Sequence, residues 1–155
     1  MRVYQTVKNT GIAVILDCGD YGNIHPVNKQ PVGERLALQA LCNVYNTISN
    51  DKAYGAIFSS CEYTENGMLL SFEYAQDGFI IKGDKAIGFE IAGSDKVYHN
   101  SQAEFRGDKI FLYSSEVEEP RYARYNWVNY GEVNVFSANG LPLAPFRTHM
   151  NDMDK

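Results

Sequence analysis

Apolar positions in the first fifty residues follow two different patterns. Residues 11–18, "GIAVILDC", form a nearly continuous apolar run. A run without alternation predicts a strand covered on both faces, as in a parallel sheet. Glycines and turn formers in "GDYGN" then break it. From Asn28 onward, Val32, Leu36, Ala40, Leu41, Val44, Tyr45 and Ile48 recur at three- and four-residue steps, the stripe of an amphipathic helix. Asn28 is a suitable N-cap, Pro31 is tolerated in a first turn, and the helix is expected to end near Ile48. One helix cannot cover both faces of a strand. Residues 1–50 therefore read as the terminal strand-loop-helix of a larger α/β domain.

After Asp51 the period changes. "AIFSSCEYT", "MLLSFEYA", "GFIIKG", "AIGFEIAG", "AEFRGDKIFLYSS", "RYARYNWV" and "EVNVFSA" are short runs rich in Ile, Phe, Tyr and Val, separated by "ENG", "KGDK", "RGDK" and "ANG". In "KIFLYSS", Ile110, Leu112 and Ser114 fall on one face, Phe111 and Tyr113 on the other. Closely spaced strands of this kind predict an antiparallel β-sandwich over 51–148, followed by a polar tail, 149–155. The fold class expected is mainly β, preceded by an α/β remnant.

Composition narrows the partners. Of 155 residues, 45% are hydrophobic and 21% charged, as in a globular protein. A net charge of -5 argues against nonspecific nucleic-acid binding. No apolar run approaches the ~20 residues that span a bilayer, and "MRVYQTVKNTG" has no signal-peptide core, so the chain as written is expected to be cytoplasmic. Cys18, Cys42 and Cys61 make an odd count, and His25, His99 and His149 are not spaced with them as zinc ligands. Small buried thiols, no metal and no cofactor are the expectation.

Few residues offer chemistry. His25 follows the end of the apolar run, where ligands sit in open α/β sheets. Pro26 biases it toward an extended conformation, away from the following helix. From the residues alone, it is either a base offered to a cleft or a loop histidine bonding nearby backbone. Asp95, Tyr98 and His99 in "GFEIAGSDKVYHN" read as sugar-contacting groups or as turn formers. Trp127 with Tyr122, Tyr125 and Tyr130 reads as a stacking platform or as core. Arg147 would suit a carboxylate or an acidic neighbour. The Arg-Gly-Asp of "FRGDK" is explained by its turn.

The segments "NTGIAVILDCGD", "IHPVNKQPVGERLAL", "GFEIAGSDKVY", "ARYNW" and "NGLPLAPFRT" occur in this order along almost the whole chain. Together they resemble the C-terminal part of the sialate O-acetylesterase family, within the SGNH hydrolases. The resemblance implies removal of O-acetyl groups from sialic acid or related sugars. In that chemistry a serine attacks the acetyl carbonyl, a histidine acts as general base, and donors hold the oxyanion. The family's histidine lies in an "IHP" segment, here His25. Full-length relatives are often secreted, periplasmic or lysosomal.

Two departures follow from the same resemblance. Many SGNH hydrolases carry an aspartate three residues before the histidine, where this chain has Gly22; Asp20 and Asn23 are nearby substitutes. The nucleophile's glycine-serine motif at the start of an α/β domain is also missing, and Ser59, Ser60 and Ser101 do not stand at strand-to-helix turns. The expected partners are thus an O-acetylated sugar and either an N-terminal hydrolase portion or a separate serine-bearing subunit, with a homodimer as a further option. A noncatalytic β-sandwich that binds glycans is the reading from a different class.

Overall fold

A computed structural model describes residues 2–148; the expected polar tail, with His149, lies outside the described residues. Ten strands are seen among them: β1 Ile57–Thr64, β2 Gly67–Glu73, β3 Phe79–Ile81, β4 Phe89–Ala92, β5 Tyr98–Asn100, β6 Gln102–Arg106, β7 Lys109–Tyr113, β8 Tyr122–Tyr125, β9 Val135–Ser137 and β10 Phe146–Arg147. One sheet has the order β1-β2-β7-β6, a second β10-β8-β4-β5, and β3 pairs with β9. All pairings are antiparallel.

Alternation builds the core. Ile110 and Leu112 of β7 are fully buried, and Phe111 and Tyr113 are only partly so, as their opposite face requires. Met68, Leu70 and Phe72 of β2 join them, and from the other sheet come Phe89, Ile91, Ala123, Tyr125 and Phe146. The two inner faces thus meet as a sandwich. The rings of Phe58 and Phe146 stack with centroids 4.8 Å apart across the seam. β5 and β10, three and two residues long, carry too little pattern to be foreseen.

Gly67 shows how tightly the sheet is packed. A methyl group there would meet the Leu112 carbonyl oxygen and the Phe111 ring. Gly67→Ala is expected to cost about 2 kcal/mol, because β7 backbone cannot yield like a flexible side chain. The denaturant midpoint measures this.

The first fifty residues depart from expectation in two ways. The run at 11–18 forms no strand; it is irregular, with a 3₁₀ turn at Leu16–Cys18. No described segment pairs with it, and a parallel strand exists only with neighbours. The helices are α1 Arg2–Thr6, α2 Gln30–Asn43 and α3 Asn50–Ala53. α2 is shorter than predicted. Lys29, not Asn28, precedes it, and Pro31 occupies its first turn. It ends where Asn46 turns left-handed (φ 53) and the N–H and hydroxyl of Thr47 both donate to the Leu41 carbonyl.

α2 also presents an unexpected face. Its buried residues are Arg35, Gln39 and Cys42, whereas Leu36, Leu41, Val44 and Tyr45 of the predicted apolar stripe are exposed. Gln39 donates to the Ala53 carbonyl at 2.7 Å. Around it Cys42, Ala53, Tyr54, Ile57 and Ala144 form a second core cluster, flanked by Tyr4, Ile12, Val14, Leu38, Ile48 and Tyr74. This cluster joins residues on both sides of position 50. Tyr54 lies between Tyr4 and Tyr74, with centroid distances of 5.3 and 5.0 Å.

Candidate functional site

The loop carrying His25 hangs between two anchors. The first is an ion pair. Arg35 of α2 donates to Asp17 through two bonds, 2.6 Å to Oδ1 and 2.7 Å to Oδ2. A third bond, 2.7 Å, reaches the Val14 carbonyl. The pair is largely buried, with side-chain exposures of 10% for Arg35 and 21% for Asp17. Burial alone would raise the Asp17 pKa, but the bonds and charge of Arg35 outweigh it and hold the carboxyl below its usual range. The Cys18 thiol, 3.5 Å from Arg35, is pushed up by burial and by Asp17. The second anchor is aromatic. Tyr21 meets Tyr130 edge-on at 5.5 Å.

Between the anchors the chain is held by local turns. Asp20 Oδ1 accepts the Gly22 N–H at 2.9 Å, and Asn23 Oδ1 accepts the His25 N–H at 2.8 Å. His25 itself is exposed, and no hydrogen bond among the described residues engages its imidazole. Ile24 and Val27 beside it are 90% and 93% exposed. Asp20 therefore closes the turn rather than orienting the ring, and Asn23 serves His25 through the backbone. An imidazole standing free on a turn can act as a base only toward groups brought to it.

The other candidates separate in space. Tyr125 is fully buried against Phe89 at 4.5 Å, and burial pushes its pKa up to about 12. Trp127 and Tyr130 are about half exposed, and Tyr122 lies half-buried on β8. The four aromatic residues therefore do not share one platform. Arg147 stacks over Trp127 at 4.8 Å and makes no ion pair among the described residues. Asp95 Oδ1 accepts the Val97 N–H at 3.1 Å, a turn contact.

A histidine–carboxylate pair does occur, between the candidate His99 and a glutamate the sequence did not single out. His99 Nδ1 lies 3.0 Å from Glu116 Oε2. The two residues border a cavity of about 400 Å³ with Gly93, Ser94, Asp95 and Glu119. Gly93–Ser94 is the sequence's one Gly-Ser dipeptide. It lies between β4 and β5, not at a strand-to-helix turn. No hydrogen bond joins Ser94 to His99, so the group lacks the nucleophile–base contact of a triad. Of the serines considered earlier, Ser59 donates to the Ser71 carbonyl at 3.0 Å where the β1–β2 register shifts, and the Ser101 hydroxyl is buried without a partner among the described residues.

Cys42 is buried and bonds Asn50 Oδ1 at 3.0 Å; all three cysteines are free. No cluster of three or more His, Cys, Asp or Glu among the described residues is arranged to hold a metal ion. No helix among them is long and apolar enough to cross a membrane.

No protein-family model and no curated protein matches the chain. Among solved structures, a carbohydrate acetylesterase from Xanthomonas citri is similar, with 34% sequence identity and a TM-score of 0.82. The likeness covers 89% of this chain and 32% of that enzyme. Most of this chain is thus similar in sequence and fold to about one third of a carbohydrate acetylesterase.

Proposed function

We propose that this chain contributes to a carbohydrate O-acetylesterase, with His25 as general base and the nucleophilic serine supplied by an α/β portion outside the chain. The 34% identity over 89% of the chain to a carbohydrate acetylesterase carries this reading. The exposed imidazole supports it, because its nitrogens stay available to a partner. Sialic acids and related O-acetylated sugars are the substrate class proposed, from the sequence resemblance. The reaction would proceed by attack of the serine on the acetyl carbonyl as the imidazole takes its proton. The imidazolium then protonates the departing sugar oxygen to give the free hydroxyl, and a water that yields its proton to the imidazole attacks the acetyl-serine, releasing acetate and returning the proton to the serine.

The chain alone is expected to hydrolyse a chromogenic acetyl ester no faster than buffer, since a base without its nucleophile has nothing to activate. Addition of a serine-bearing α/β portion should restore turnover. Activity of the isolated chain that His25→Ala abolishes would place the nucleophile within these 155 residues and overturn the division.

A further inference from the structure

The turn that carries His25 is held together from within. Asp20 accepts the Gly22 N–H through its side chain and the Asn23 N–H through its carbonyl, and the Asn23 side chain accepts the His25 N–H. These nested turns fix residues 20–25 relative to one another. They do not fix the unit in space, since every residue from 19 to 25 is exposed. Its direction depends on what grips it from outside, and the sandwich reaches it through Tyr130. The Tyr130 ring meets Tyr21 at 5.5 Å and lies 3.5 Å from where a Cβ on Gly19 would stand.

Tyr130 stands on a stiff support, the loop between β8 and β9. Asn126 opens this loop; it is buried, left-handed (φ 45), and its N–H donates to the Gly88 carbonyl at 2.9 Å. Gly131 closes it so tightly that a methyl there would meet Asn126 Oδ1 at 2.8 Å and Val128 Cγ2 at 2.9 Å. Between them Trp127 is covered by the Arg147 guanidinium of β10. The loop is thus braced against the sandwich on both sides of Tyr130.

We propose that Tyr130 is a positioning residue for His25, and that the sandwich sets the direction of the catalytic turn through the Tyr130–Tyr21 contact. The catalytic half of this inference rests on the reading under Proposed function. A general base must come within hydrogen-bond reach of the serine hydroxyl, and a displacement of about 1 Å costs rate heavily. The imidazole itself bonds none of the described residues, so its aim is inherited from the turn. The Tyr130 hydroxyl likewise bonds none of them. The ring is therefore the operative part, and phenylalanine should replace it where alanine cannot.

Backbone relaxation of the 155-residue chain tests the anchoring without any partner. Order parameters of residues 20–25 are expected to fall from about 0.8 to below about 0.6 in Tyr130→Ala and to hold in Tyr130→Phe. Tyr21→Ala, at a residue 86% exposed and so without a share in the core, should loosen the turn equally. Combined with Tyr130→Ala it should loosen it no further. In the complete esterase, Tyr130→Ala should lower kcat about tenfold or more with KM and Tm kept, and Tyr130→Phe should keep the rate. A turn already mobile in the unaltered chain, or order parameters that neither alanine variant changes, overturns the proposal. So does a loosened turn with kcat unaltered, or a loss of kcat that follows Tm or that phenylalanine does not avert. A near-normal rate for His25→Ala counts instead against His25 as the base, and the order parameters still decide the anchoring.

Discussion

His25→Ala in the complete esterase is expected to lower kcat by about three orders of magnitude or more, with little change in thermal stability. The two halves of this expectation have separate causes. Removing the base leaves the serine hydroxyl with no proton acceptor. Folding is untouched because the imidazole is exposed and bonds to none of the described residues; the turn is held by the His25 backbone N–H on Asn23, which alanine keeps. Asp20→Asn is expected to cost far less, since an amide oxygen can still accept the Gly22 N–H at the same place. Steady-state kinetics on an acetyl ester, with melting curves of each variant, separate these effects. A near-normal rate for His25→Ala would return it to the role of a surface loop residue.

Arg35→Ala is expected to destabilise the chain by about 3 kcal/mol near neutral pH, within the range for breaking a buried pair. The loss includes the bidentate contact and the bond to the Val14 carbonyl, and it strands a mostly buried Asp17 carboxylate. Its pH dependence has a definite sign. The Asp17 pKa is depressed in the folded protein, so its stabilising contribution is full above the unfolded carboxylate value near ~4. That contribution is lost as pH falls through the folded value. In Arg35→Ala burial remains without the opposing cation, so the Asp17 pKa rises and protonation relieves the variant. The difference between wild type and variant should therefore shrink as the solution is acidified. Denaturant melts at several pH values measure it, and a difference that grows in acid would contradict the assignment. Because Arg35 ties α2 to the segment leading into the His25 loop, the variant should also loosen that loop.

The sandwich was legible because alternation is a local property. Ile110 and Leu112 face inward whichever strands flank them, and the hairpin at Arg106–Lys109 declares itself through Gly107, whose φ is 66. The position of His25 was legible for a similar reason: glycines before it and Pro26 after it place it in a loop. Its surroundings were not. Asp20 was a candidate partner for the ring, but a carboxylate one turn away takes the nearest free N–H, that of Gly22. The His99–Glu116 pair joins residues 17 apart in sequence and depends on where the chain returns beside β5.

The first fifty residues mark the boundary between the two kinds of information. Their apolar run and helical stripe state what surface should be covered, and the sequence by itself determined that much. Which surface is covered in this chain was decided by tertiary structure. α2 turns Arg35 and Gln39 inward because Asp17, the Val14 carbonyl and the Ala53 carbonyl wait there to satisfy them. Leu36, Leu41, Val44 and Tyr45 remain outside. The run at 11–16 stays irregular for the complementary reason. Side-chain pattern selects a strand, but only a neighbouring backbone can supply its hydrogen bonds.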